Sequence, residues 1–497
     1  MARCQTLVIA GTNSGAGKTS FTLALTRALA RRGLKVQTFK VGPDFLDPTY
    51  LALTSRRPCY NLDGWMAGTD YCRGLFARAT ADADCAVVEG VMGLFDGADP
   101  ENAEGSTAEI ARLLDVPVVL IANVHGMGRS FAALVQGFTT FEAGLHFAGV
   151  VANRSGSKRH AVWLSDSLRA AGLPPLLGAI PRGAFPELTS RHLGLVTADR
   201  VQLPDFFLDA LADALEQSMP LETLFPKIPT KTTKKTFHLY PGKRRDAPDS
   251  RQMTLFPEPN EPERAEPPVA TPTTGKPECA PSHGRLRVGV AWDAAFHFYY
   301  PDLFDAWAAA GCDVLFFSPL TDCRLPEGLS GLYLGGGYPE LHAAELTANG
   351  EMLAAIRAYA TSGRPLYAEC GGLMYLSRGI EADERFYPLL GVLPARTRML
   401  AARKALGYVE ATLTDDSLWG RRGDVLRGHE FHYSELIDDP ISDPAWRTVY
   451  SLRHRRADSV ETEGYQNGAI LASYAHLHFA SRPAAVARFL ERCGGTQ

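Results

Sequence analysis

Long apolar runs are missing from this sequence. None of its 497 residues belongs to a stretch approaching the ~20 apolar residues that a bilayer crossing needs, so a membrane span is not expected. Residues 1–10, ahead of the first Gly-rich loop, are too short for a secretory signal core. Its nine cysteines are scattered, with no Cys-x-x-Cys pair, which indicates neither a disulfide framework nor a zinc ribbon. Charge of one sign is not in excess either. The 51 Lys and Arg nearly balance 55 Asp and Glu, for a formal net charge of −4, and a nucleic-acid surface is not indicated. There is no internal repeat. What remains is a cytoplasmic, multidomain α/β composition, 45% hydrophobic with 46 glycines, long enough for about two to four domains.

Composition shifts sharply once. Between Pro226 and Pro281 fall 12 of the 33 prolines, together with Lys234-Lys235, Lys243-Arg244-Arg245 and a Glu/Pro run over 258–268. So few large apolar residues cannot offset the entropy of ordering this stretch. It predicts a linker over 225–284 between domains at 1–224 and 285–497. On the left, short apolar runs at 6–10, 36–40, 86–89, 116–122 and 148–152 suit strands buried on both faces, as in a parallel sheet. On the right, runs at 287–291, 313–317, 331–334 and 365–368 repeat the pattern, with helices near 301–310 and 352–361. Two doubly wound α/β domains are expected.

The first strand runs into Gly11-Thr12-Asn13-Ser14-Gly15-Ala16-Gly17-Lys18-Thr19-Ser20 and then a helix. Glycines let backbone amides turn inward around phosphate oxygens, a Lys supplies a point charge, and a hydroxyl faces Mg²⁺. The spacing departs from Gly-x₄-Gly-Lys-[Ser/Thr], because Thr12 stands where the leading glycine is usual and Gly11 is one residue further away. The candidate ATP-binding residues are Gly11, Asn13, Gly15, Gly17, Lys18, Thr19 and Ser20. Glu89, at the tip of an apolar strand, is a candidate metal ligand with Thr19. Asp44 and Asp47, in Lys40-Val41-Gly42-Pro43-Asp44-Phe45-Leu46-Asp47-Pro48, follow the second strand at the carboxyl edge where ligands bind in open α/β sheets. Asp44 is a candidate metal ligand. Asp47, and Asp96 beyond a Gly-rich turn, are candidates for facing a second substrate.

In the right half, Leu366-Tyr367-Ala368-Glu369-Cys370-Gly371-Gly372 is a strand, a sharp turn and the start of a helix, with a thiol at the turn. This is a nucleophile-elbow arrangement, and a nearby helix N-terminus favours the thiolate. Gly336 and Gly337 end another strand, where their amides and that of Gly371 are candidates for an oxyanion hole. Near the C-terminus, alternation in Ser473-Tyr474-Ala475-His476-Leu477-His478 puts both imidazoles on one face. His476 is the candidate base for Cys370, with His478 supporting it. A metal on these two lacks a third ligand nearby in sequence. In Gly428-His429-Glu430-Phe431-His432, a strand would send the two histidines to opposite faces, which makes a single metal site awkward.

Together these motifs resemble the ATP-dependent, glutamine-hydrolysing cobyrinic acid a,c-diamide synthases, including the hydrogenobyrinic acid form. The left half is similar to the dethiobiotin-synthetase type of P-loop fold, and the right half to class I glutamine amidotransferases of the cobyric-acid-synthase type. The resemblance spans nearly all the chain outside the linker. It implies that ammonia from glutamine amidates the a- and c-acetate carboxylates of cobyrinic or hydrogenobyrinic acid through acyl phosphates, with Mg²⁺ and ATP. It also implies that the third triad carboxylate of ordinary class I glutaminases is absent, since His478 stands where they place Glu. Oligomeric state is left open, a homodimer included. Nickel-sirohydrochlorin a,c-diamide synthase shares the motifs. CTP synthase and a P-loop switch of the partitioning-ATPase type share single halves or domain kinds.

Overall fold

The computed structural model describes residues 4–186, 204–225, 285–455 and 460–495. The expected linker falls, from residue 226 on, outside the described residues.

The left half is built on a seven-stranded sheet of β1 (Gln5–Gly11), β2 (Val36–Val41), β3 (Tyr60–Leu62), β4 (Cys85–Glu89), β5 (Val118–Asn123), β6 (Phe147–Ser155) and β7 (Leu176–Pro181). Their order is β3-β2-β4-β1-β5-β6-β7, and every pairing is parallel. The near-continuous apolar character of β1, β4 and β5 follows from burial on both faces. The helix Lys18–Arg31 packs Phe21, Ala24, Leu25, Ala28 and Leu29 against it. On its outer side Arg27 and Arg31 pair with Asp209 and Asp213 of the helix Asp205–Ser218, both at 2.7 Å. Strand order reverses around β1, so the loops after β1, β2 and β4 meet at one carboxyl edge.

The right half departs from a simple doubly wound sheet. Its parallel core holds β8 (Arg287–Ala291), β9 (Asp313–Phe317), β10 (Gly331–Leu334), β11 (Leu366–Glu369) and the strand Ile470–Ser473. Antiparallel strands Val460–Asn467, Arg447–His454, Ala405–Leu413, Val425–His432 and His476–His478 extend it to ten. A separate four-stranded sheet, Arg385–Pro388, Gly379–Ala382, Thr397–Met399 and Ser434–Leu436, lies beside it. The extension returns the chain so that His476 arrives next to the elbow. One aromatic cluster joins the halves: Phe45, Trp65 and Met66 on the left pack with Phe298, Tyr300 and Tyr338 on the right.

Candidate active site

In the phosphate loop, the tip at Asn13–Gly15 is exposed, while Lys18 is buried and Thr19 and Ser20 half-buried at the head of the helix. Gly17 has φ +103°, and a Cβ there would meet Asn153 Nδ2 at 2.2 Å. Only glycine fits such a conformation and approach. The same Asn153 amide donates to the Ala16 carbonyl at 2.9 Å and fixes the loop from β6. Gly11 ends β1 and abuts the stem of Lys18. The Lys18 ammonium turns back to the carbonyls of Met92 and Asn13. Burial, and then the charge of Lys40, pull its pKa down.

Register brings the acids together. Ile9 on β1 and Lys40 on β2 both pair with Glu89 at the end of β4. The wholly buried Glu89 accepts from Thr19 Oγ1 at 2.8 Å and from Lys40 Nζ at 2.9 Å through Oε1, while its buried Oε2 has no partner among the described residues. Burial lifts its carboxyl to about 7. Lys40 also bonds Asp47 and stands 3.7 Å from Asp44. Burial works against that ammonium, but Asp47, Glu89 and Asp44 outweigh it and hold Lys40 charged. Asp44 Oδ1 accepts from the amides of Leu46 and Asp47, at 2.8 and 3.0 Å, and closes the loop. Burial, then Asp47, raises Asp44 to about 6. Burial also acts to raise Asp47, but Lys40 dominates and holds it low. Asp96 is exposed and accepts from the Gly93 amide at 2.7 Å within its own turn. Asn61 Nδ2 donates to the carbonyls of Gly42 and Asp44.

Across the interface, Cys370 stands at φ +49°, ψ −103°, a strained conformation for a side-chain-bearing residue. It presents the thiol between the end of β11 and the helix Gly371–Leu376. Gly371 is the first helical residue, so its amide has no intrahelical acceptor. A Cβ on Gly371 would lie 3.0 Å from the Gly337 amide nitrogen, and one on Gly336 would lie 2.6 Å from His476 Cε1. The three predicted oxyanion candidates are therefore gathered around the thiol and the imidazole.

One expectation is corrected here. A carboxylate does hold His476: Glu369 Oε1 accepts from Nδ1 at 2.7 Å, and Tyr367 OH donates to Glu369 Oε2 at 2.9 Å. It comes from the residue before Cys370 rather than from two residues after the histidine. Burial lowers His476, but Cys370 and then Glu369 outweigh it and lift the imidazole to about 10. With Nδ1 engaged, Nε2 is the nitrogen left for the thiol. His478 does not take the supporting role. Its Nε2 lies 3.7 Å from Asp302, its Nδ1 accepts from the Ala480 amide, and burial keeps it below its usual range. His429 stacks on His476 at 4.9 Å and bonds Tyr300 OH, while His432 faces away onto Tyr474. Among the described residues no three His, Cys, Asp or Glu side chains converge as a metal cluster.

Sequence reasoning missed Glu369 and Lys40. Each is a charged residue at or next to the end of a wholly buried strand, as Glu89 is, and such a charge requires a partner.

Residues 7–196 match the CobQ/CobB/MinD/ParA nucleotide binding domain, and residues 287–484 the CobB/CobQ-like glutamine amidotransferase domain. Along nearly its whole length the chain is similar to curated proteins. It is 52% identical to the cobyrinate a,c-diamide synthase of Syntrophotalea carbinolica, over 99% of each chain. It is 40% identical to the protein of that name from Leptospira interrogans, and 41% identical to the hydrogenobyrinate a,c-diamide synthase of Stutzerimonas stutzeri, each over 98% of both chains.

Proposed function

The chain belongs to the cobyrinate a,c-diamide synthase family, a group of glutamine-hydrolysing amidating ligases, and from that premise we propose how its two halves divide the reaction. Cobyrinate is the acceptor, amidated in turn at its a and c carboxylates. Residues 1–224 form the ATP-dependent synthetase, 285–497 the glutaminase, and 225–284 the connection. Corrin, glutamine and ATP are the working partners in the cytoplasm, with no role for nucleic acid or membrane and with a homodimer compatible.

The Cys370 thiolate attacks the glutamine carboxamide. Amides of Gly336, Gly337 and Gly371 receive the tetrahedral oxygen, and the His476 imidazolium gives its proton to the departing nitrogen, releasing ammonia and leaving a glutamyl thioester. The imidazole, now neutral, takes a proton from water as it cleaves the thioester, which yields glutamate, expels the Cys370 thiolate and restores the thiolate–imidazolium pair. Glu369 keeps the imidazole in register throughout.

On the other side, the amides of 11–20 cradle the phosphates and Lys18 releases its carbonyl partners to meet them. Thr19 and Glu89 are the residues that would hold Mg²⁺; the orphaned Glu89 Oε2 and the adjacent hydroxyl suit a hard cation, with Asp44 as a further donor. Bound there, the ion would offset phosphate charge. Asp47 and Asp96 face the corrin carboxylate, which takes the terminal phosphoryl group and then loses phosphate as ammonia attacks the acyl carbon.

The observation that carries this reading is the Glu369–His476 pair behind a strained Cys370, packed against a P-loop half with its own acid cluster. The test is mass spectrometry of cobyrinate, hydrogenobyrinate and nickel-sirohydrochlorin after incubation with Mg-ATP and glutamine. Cobyrinate gains two amides. Cys370→Ala loses this with glutamine and keeps it with concentrated ammonium salt. No amide on any of the three acceptors, or glutamine turnover by Cys370→Ala, overturns the reading.

A further inference from the structure

Ammonia formed at Cys370 must reach the acid cluster, and one side chain of the acid-bearing loop packs against the His476 ring. Phe45 belongs to the loop that follows β2, directly after Asp44 and two residues before Asp47. Its ring crosses into the other half, stacking on Phe298 at 5.1 Å and 10° and lying 5.1 Å from the His476 ring, 4.7 Å from Tyr300 and 5.4 Å from His429. It is 8% exposed. The loop behind it is pinned at several points. Asn61 holds the Asp44 carbonyl, Asp44 caps the following amides, and Asp47 is tied to Lys40.

Resting on the division of labour proposed above, we propose that Phe45 is the seal and guide of the ammonia route. One face of its ring closes the His476 side, and its own backbone carries the acids of the amidation side. Ammonia moves along Phe45, Phe298, Tyr300 and Tyr338 towards the buried Lys40–Glu89 pair.

The lining suits the neutral molecule. It is aromatic, and His429 is held uncharged by burial and by the neighbouring His476. A cation would have to shed its water to enter, whereas neutral ammonia sheds far less. Tyr338 supplies a polar stop. Its hydroxyl is buried without a partner among the described residues, and it packs edge-on against Phe298 at 5.1 Å. A buried hydroxyl left unpaired costs free energy unless something visits it. Ammonia, both donor and acceptor, fits that vacancy in hydrogen bonding.

The experiment measures amide formed per glutamine hydrolysed, free ammonia in the medium, and amidation driven by ammonium salt, in wild type, Phe45→Ala and Phe45→Leu. Opening the seal to water is expected to lower the amide-to-glutamine ratio of Phe45→Ala by about threefold or more, with free ammonia accounting for the difference. Phe45→Leu, which keeps apolar bulk, falls between. Ammonium-driven amidation stays within about twofold of wild type in both, since that ammonia enters from solvent. An unchanged ratio in both variants overturns the proposal. So does a parallel loss of glutamine- and ammonium-driven amidation in both, which would make Phe45 a packing residue. The wild-type arm separates the two readings: absence of any glutamine-supported amide there defeats the functional assignment and not the seal.

Discussion

Glu369 and His476 are 3% and 1% exposed, so water does little to compensate either charge. Removing one partner of a buried ion pair costs about 3–5 kcal/mol when nothing replaces it. Glu369→Gln keeps the shape and a hydrogen-bonding oxygen but removes the charge that favours imidazolium. Glutaminase kcat/KM is expected to fall by roughly 100-fold, equivalent to about 2.7 kcal/mol, while ammonium-driven amidation stays as in wild type. The pH profile carries a second mark. With His476 raised from 6.5 to about 10, the imidazolium survives the ordinary histidine range and is lost as pH rises through about 10. Wild-type glutaminase activity should therefore be flat from neutral pH upward, with its alkaline limb near that value. The limb moves to lower pH in Glu369→Gln. The linked stability has the same sign, fully present below 6.5 and lost through about 10. Initial rates of glutamate release across pH check both points, and a limb that stays put in the variant removes Glu369 from this role.

Elements explain what was legible. Contiguous signals carried their own geometry: strand, Gly-rich loop and helix in 6–31, and strand, turn and helix in 366–376, each lie where the pattern placed them. Glu369 was adjacent to Cys370, yet its partner is 107 residues away. It is delivered by the pairing of Glu369 with Ser473 across two parallel strands, a long-range register that no local period encodes. The antiparallel extension was hidden for a related reason. Strands such as Val460–Asn467 are partly exposed and largely polar, and only their neighbours make them strands. One glycine in that extension has a visible consequence. Gly428 pairs with Leu477, and a Cβ on it would meet the His476 carbonyl oxygen at 1.9 Å. Gly428→Ala must push the strand His476–His478 away. Overpacking of this kind destabilises by about 1–3 kcal/mol, and the displaced imidazole should lower glutamine hydrolysis by about tenfold or more. Nucleotide binding, built on the other half, should be unchanged. Thermal melting together with ATP affinity tests this, and wild-type glutaminase activity in the variant would show that the strand yields without moving His476.

For the whole molecule, the question is what fixes one half on the other. Around the aromatic cluster, phenols of one half donate to carboxylates of the other: Tyr60 to the exposed Asp305, and Tyr71 and Tyr408 to the buried Asp302 and Asp63, each at 2.7 Å. Arg427 reaches the Trp65 carbonyl at 3.3 Å, and Arg455 engages Glu104 and Asp99. Among the described residues, these contacts join the two halves. A domain of about 200 residues has a radius of gyration near 16 Å. Removing residues 243–268 leaves a connection that reaches roughly 100 Å when extended, enough to pass around either half. The deletion is therefore expected to leave amidation within about twofold of wild type and to keep the amide-to-glutamine ratio. Asp302→Ala is expected to do the opposite. It strips the acceptor from Tyr71 and the carboxylate from His478, leaving polar groups unpaired at about 1–3 kcal/mol each, and it loosens the interface along which we propose that ammonia passes. Stoichiometry of glutamine and amide in the two variants decides the matter. If the deletion uncouples them and Asp302→Ala does not, placement of the halves resides in the connecting segment and not in the paired phenols and carboxylates.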